Sequence, residues 1–232
     1  MTRAILKKDL VSLWTSPIPW AVGIVVHLIL GLMYASELLA RRQALIQPLF
    51  PLAGFLLVVA VPIVAMRSFA EEARSGTLDL LQAVPVASGP LVAGKWLATW
   101  MTTLGIFAPS AAAVVVLVLY GDPDPGPILA GYLGMALMAA SLAAIGVLSS
   151  SLTSSQPVAA VMAFFVSMIL WFAHVGSQRI ATGPFLAHFS ISERLRSFAS
   201  GVIDTADVGF LLLLSFAALA VAATAVDARR LR

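Results

Sequence analysis

The groups with the most evident chemical potential are the run Gly89-Pro-Leu-Val-Ala-Gly94-Lys95, three histidines and a charged cluster from Glu71 to Asp79. The run has the spacing of a phosphate-cradling loop, in which backbone amides wrap a nucleotide and the lysine reaches its terminal phosphates. That chemistry also needs a Ser or Thr hydroxyl on magnesium at the next position, and a strand leading into the loop. Trp96 stands there instead and the run opens an apolar segment, so no ATP site is expected in this chain. Lys95 reads as a residue stretching its ammonium to a membrane boundary. His27, His174 and His188 lack ligand-like spacing, so no metal site is expected. Cysteine is absent, which excludes disulfides, thiolate catalysis and Cys-based zinc or iron–sulfur sites. No Ser–His or paired-Asp arrangement for intramembrane hydrolysis stands out, and the chain is read as non-catalytic.

What must position these residues is a set of membrane helices. Of 232 residues, 60% are hydrophobic and 11% charged, against about 45–50% and about 25% in a soluble domain. The mean hydropathy is +0.99. A core of this size cannot absorb the surplus, so it must face lipid. A span takes roughly 20 apolar residues, and six runs qualify: Ile18–Leu39, Pro48–Met66, Trp96–Tyr120, Ile128–Leu148, Pro157–Val175 and Val208–Val226. The first is long for a signal peptide and lacks a small-x-small exit, so it is read as a retained span. Among charged residues only Glu37 falls within these limits, at a span end. His27 is the one titratable group near mid-membrane. Such spans cannot harness an ion gradient by themselves.

Six spans place both termini on one side. With that side cytoplasmic, Arg3, Lys7, Lys8, Arg67, Arg74, Lys95, Arg229, Arg230 and Arg232 lie inside, nine of the fourteen cations. This follows the positive-inside tendency, and it accounts for the net charge of +3 without a nucleic-acid partner. The segment Arg3–Ser16 places Leu6, Leu10, Leu13 and Trp14 on one face, with Lys8, Asp9 and Ser12 turned away. It is expected to be an amphipathic interfacial helix turning into the first span at Pro17–Pro19. Trp20, Trp96 and Trp171 read as interfacial anchors. Ala136, Ala140, Ala144, Gly146 and Ser150 permit close helix approach.

Two connections are long and patterned. In the inner one, Ser68 and Glu71 have capping-box spacing, which predicts a helix leaving the second span. Gly76 ends or bends it, Thr77 caps a second short helix bearing Leu78, Leu80, Leu81 and Val84, and Pro85 stops that one. The expected product is a helix–Gly–helix elbow with Glu71, Glu72, Arg74 and Asp79 exposed, suited to a groove on a soluble partner. In the outer connection Ser190 and Glu193 form a second capping pair. Ile191, Leu195 and Phe198 then line one side, and Gly201 is a stop, predicting a helix of about ten residues on or dipping into the outer surface. Asp204, Thr205 and Asp207 open the last span, where carboxylates suit a helix N-terminus.

The inner run Glu71-Glu72…Gly76-Thr77-Leu78-Asp79-Leu80-Leu81…Pro85-Val86, followed by Gly94-Lys95, resembles the first cytoplasmic loop of permease subunits of the type 2 ABC exporters. The run Phe198-Ala-Ser-Gly201-Val-Ile-Asp204-Thr-Ala-Asp207-Val is also similar to the gliding-motility-associated GldF-type permeases, with Ser200 and Ala206 where that pattern carries arginines. The resemblance implies that Glu71, Glu72, Arg74, Gly76, Thr77, Leu78, Asp79, Leu81 and Pro85 form a coupling helix seated on a separate ATPase subunit. It implies that Ser190, Glu193, Leu195, Phe198, Gly201, Asp204 and Asp207 belong to short outer helices closing the exit. It further implies a path between two copies lined by the first, second and fifth spans, with His27, Met33, Phe164, Phe165, Met168 and Phe172 as candidate wall residues.

The expectation is therefore an all-α polytopic membrane protein, one permease domain over residues 1–232. Six transmembrane helices, an N-terminal amphipathic helix, a cytoplasmic coupling helix and short outer helices between spans five and six make it up. Its partners would be an ABC ATPase subunit holding ATP and magnesium, a second permease copy or homologue, membrane lipid and an accessory protein outside. Its place would be the bacterial cytoplasmic membrane, and its cargo a lipid-like or amphipathic molecule. The alternative is a mechanotransmission complex that moves no substrate and drives an extracytoplasmic partner; a third reading is a scaffold or haem-handling bundle built on His27 and His174.

Overall fold

The computed structural model describes residues 2–41, 45–76, 88–121, 123–177 and 188–230. Among these every regular element is helical. Helix α1 (Thr2–Thr15) leads through a bend at Ser16 into α2 (Pro17–Arg41); α3 (Leu49–Ala65) runs almost without interruption into α4 (Arg67–Ser75). Next come α5 (Ser88–Phe107), a 3-10 turn at Ala108–Ala111 around Pro109, and α6 (Ala112–Tyr120). Then follow α7 (Pro125–Leu152), α8 (Gln156–Ser177), α9 (Ile191–Ala199) and α10 (Thr205–Arg230).

Among the described residues, six stretches are long and apolar enough to cross a membrane: Pro17–Ala40, Leu49–Ser75, Ser88–Leu119, Pro125–Leu152, Gln156–Val175 and Thr205–Arg229. They coincide with the six expected spans, each somewhat longer than its apolar run. α3 and α7 are mostly buried and form the centre, while α2, α8 and α10 show most of their surface. Apolar residues on that outward surface suit a lipid environment in a chain this hydrophobic.

Direction follows from the contacts. Phe50 of α3 lies against Gly131 of α7, and Ala65 lies against Gly146, so these two helices run the same way. α5 runs opposite: the Trp96 indole donates to the Ala140 carbonyl (2.8 Å) and Trp100 to Ala136 (2.9 Å), one turn earlier on α7. Ser88, at the start of α5, hydrogen-bonds Asp227 near the end of α10. Helices α1, α4 and the end of α10 thus share one end of the bundle, and α9 with the starts of α3 and α7 shares the other.

Two anchor assignments are corrected. Trp96 stacks on Trp100 at 5.7 Å and spends its N–H on α7, and Trp171 is buried between α3 and the α9 end. A buried indole needs an acceptor, and the alanine stripe of α7 leaves its carbonyls open to one. Trp20 does remain exposed, donating to the Trp14 carbonyl at 3.0 Å.

Candidate functional site

The α4 end concentrates the charged chemistry. α4 continues α3 because Met66 keeps right-handed helical angles and its amide still reaches the Pro62 carbonyl at 3.0 Å. The expected capping box therefore does not form. Ser68 turns to Thr99 of α5 (3.2 Å), and Glu71 pairs with Arg67 (2.6 and 2.8 Å). The Ser150 hydroxyl of α7 substitutes for the cap. It accepts from the Phe69 and Ala70 amides (2.9 and 3.0 Å) and donates to the Met66 carbonyl (2.9 Å). Gly146, one turn earlier, lets the two helices approach closely enough for this, since a side chain there would overlap Ala65. α4 ends as predicted at Gly76, whose φ of 72° is the left-handed cap that glycine adopts without strain.

Lys95 is the hub. Its side chain is 2% exposed, which corrects the reading of a residue stretching toward a boundary. The ammonium meets Glu72 Oε2 at 2.8 Å and Asp9 Oδ2 at 3.3 Å, donates to the Ser68 carbonyl at 2.6 Å, and lies 5.0 Å over the Phe69 ring. Lys8 closes the cluster on Glu72 Oε1 at 2.6 Å. An ammonium can be buried only with such compensation, and here two cations face two carboxylates. Arg67 adds a link from α4 to Ser16 at the α1–α2 bend. A cavity of about 250 Å³ lies beside this cluster, lined by Lys8, Asp9, Arg67, Glu72 and Lys95 together with the apolar Leu13 and Ala98. Burial pushes the Asp9 carboxyl above its ordinary range against the pull of Lys95, and the nearby Glu72 adds to the push. Burial also works against the Lys8 charge, but the Glu72 hydrogen bond and charge outweigh it and raise Lys8 above its usual value.

These contacts correct two expectations. Asp9 does not turn away with the polar face of α1, and Glu72 is not displayed to a partner; both point inward at Lys95, because an unpaired buried ammonium would cost more than losing their hydration. Arg74 is exposed, and Glu71 is half-exposed on its pair with Arg67. Thr77, Leu78, Asp79, Leu81 and Pro85, with the second short helix, lie outside the described residues. The run Gly89–Lys95 is helical, and its lysine is spent on the buried carboxylates instead of reaching out of a loop toward a phosphate.

At the opposite end Ser190 caps α9, accepting from the Glu193 amide at 3.4 Å. Gly201 closes it at φ 89°, with its amide on the Phe198 carbonyl (2.9 Å) and that of Val202 on Ser197 (3.2 Å). α9 dips into the bundle: Leu195 fills the space over Gly54, and Phe198 comes within 2.6 Å of where a Gly134 side chain would start. Asp204 caps α10 through the Ala206 amide (2.8 Å). Asp207 holds Arg194 at 2.6 Å, while that guanidinium also covers the Phe210 ring at 3.9 Å and reaches the His188 carbonyl at 2.5 Å. Arg194 was not singled out in the sequence; its position one turn after Ser190 and opposite Asp207 became meaningful only once α9 folded back. The structure also brings Ser192 Oγ to 3.0 Å from His174 Nδ1, but that hydroxyl lies 2.8 Å from the Trp171 carbonyl and ties α9 to α8.

Met33, Phe165 and Phe172 face outward, Phe164 and Met168 are half-buried, and Phe172 packs edge-on to Phe55. His27 Nδ1 spends itself on the Gly23 carbonyl at 2.9 Å. Among the described residues no group of three or more His, Asp or Glu is placed to hold a metal ion. Compared with known proteins, the chain matches no family model and no curated protein.

Proposed function

We propose that the chain is the membrane permease subunit of an ATP-binding cassette exporter of the type 2 kind, worked by a separate ATPase subunit. It acts as a pair of six-span subunits in the bacterial cytoplasmic membrane, with both termini cytoplasmic, and its cargo is lipid-like or amphipathic. ATP and magnesium belong to the ATPase partner. The observation that carries this reading is the Lys95 knot. It fastens α4, the root of the inner connection, to α1 and α5, so a push on the segment after Gly76 is delivered to three helices at once. A solvated loop would need no such buried fastening. α9, seated over Gly54 and Gly134, is the element that closes the outer exit in this reading.

The mechanotransmission alternative has one observation in its favour. Val202 and Ile203, just past Gly201, are both more than half exposed and sit where an extracytoplasmic partner would dock. Tagged protein purified from its native host and reconstituted in vesicles distinguishes the readings. A co-purifying ABC ATPase, stimulated by amphipathic molecules, supports export; stimulation only by an outer protein supports the alternative; a preparation free of ATPase contradicts both.

A further inference from the structure

Helix α1 turns a cationic face away from the bundle. Arg3, Lys7 and Val11 are exposed and recur at four-residue spacing, so they form one stripe along the helix. The single acid of α1, Asp9, points the other way into the Lys95 cluster, and Lys8 is hydrogen-bonded to Glu72. Arg3 and Lys7 have no ion-pair partner among the described residues. The stripe therefore carries uncompensated positive charge.

Its position selects a partner. Ile5 packs against Gly94 of α5, and Trp14 packs against Gly105. The stretches Ile5–Trp14 and Gly94–Gly105 are each roughly 15 Å of helix, so α1 lies alongside α5 instead of hanging free below it. That part of α5 belongs to the membrane-length helix Ser88–Leu119. The outward face of α1 accordingly meets the flank of the bundle where headgroups give way to hydrocarbon. A 55% exposed valine between the cations and Thr15 suits that boundary. We propose that the Arg3–Lys7–Val11 face binds anionic phospholipid of the adjoining leaflet, the two cations on its phosphate and Val11 against the first methylenes of an acyl chain. An acidic surface of a protein partner would match the charges but gains nothing from the valine at the lipid boundary. This inference does not depend on an ATPase partner.

The test is tryptophan quenching of the purified full chain in vesicles of brominated phosphatidylglycerol or brominated phosphatidylcholine. Trp14 and Trp20, stacked edge-on at 5.2 Å beside the end of α1, are the nearby reporters. Wild type should prefer the anionic lipid, and the preference should shrink with added salt. Arg3→Gln and Lys7→Gln should each reduce it by roughly fivefold, while Arg3→Lys and Lys7→Arg keep it. Equal quenching by the two lipids in wild type overturns the proposal. So does a preference unchanged in the Arg3→Gln/Lys7→Gln protein, or one lost in the charge-conserving variants. If the neutral pair instead abolishes capture of an ATPase while lipid preference stays intact, the stripe is a protein face and the proposal is wrong.

Discussion

At the scale of single residues, the cost of a buried charge decides most of what is seen. Lys95 sits in an apolar helix and is tolerated because Glu72, Asp9 and the Ser68 carbonyl surround it. Lys95→Met should leave two carboxylates facing each other and destabilise the fold by about 3–5 kcal/mol. Lys95→Met with Glu72→Gln should recover part of that loss, and thermal melts in detergent measure both. Asp9 gives a pH dependence of known sign. Its carboxyl takes up a proton at higher pH in the folded chain than in the unfolded one, so this group favours folding more as pH falls from neutral through that raised value. Asp9→Asn should remove this contribution and flatten the melting temperature across that window; an unchanged slope would show that Asp9 is not buried beside Glu72. The sequence places Glu72 among the exposed residues of the elbow, whereas the structure turns it inward onto Lys95. Helical periodicity locates a face, whereas the partner that draws Glu72 inward sits on another helix, in a run that first looked like a nucleotide loop.

Among elements, the decisive features are places where helices come too close for a side chain. Gly54 and Gly134 accept Leu195 and Phe198 of α9. Gly134→Val should expel Phe198 and cost about 1–3 kcal/mol by overpacking. The same substitution should make α9 accessible to proteolysis while α4 stays protected. Ser150→Ala should cost about 1–3 kcal/mol, because three backbone groups of the α3–α4 junction lose their partner; hydrogen exchange at Phe69 and Ala70 reads this directly. The six spans, the helix at Ile191–Ala199 and both glycine stops were legible from the sequence, since composition, capping pairs and left-handed glycines act locally. The role of Ser150 was not, because a serine in a small-residue stripe reads only as permission to pack. Arg194 escaped for the same reason: its partner Asp207 and the Phe210 ring belong to α10.

For the whole molecule, the bundle is organised around two fastened ends. α4 is tied by charge to α1 and α5 at one end, and α9 is plugged into α3 and α7 at the other. The two ends are joined by α3 and α7, the most buried helices, which run in one direction between them. Such a frame would carry a displacement at Gly76 toward the opposite end. With no native cysteine, single cysteines at Thr2 and Ala228, both outside the apolar runs, can be labelled cleanly in intact cells. Both should resist a membrane-impermeant thiol reagent until the cells are opened, as cytoplasmic termini require. The central claim is that the inner connection transmits ATPase motion, and it is tested most directly by ATP hydrolysis in vesicles containing the chain and its ATPase subunit. Glu72→Ala with Leu81→Ala should uncouple hydrolysis from substrate or lose the ATPase altogether. Normal assembly with fully coupled activity in that double variant would contradict the account.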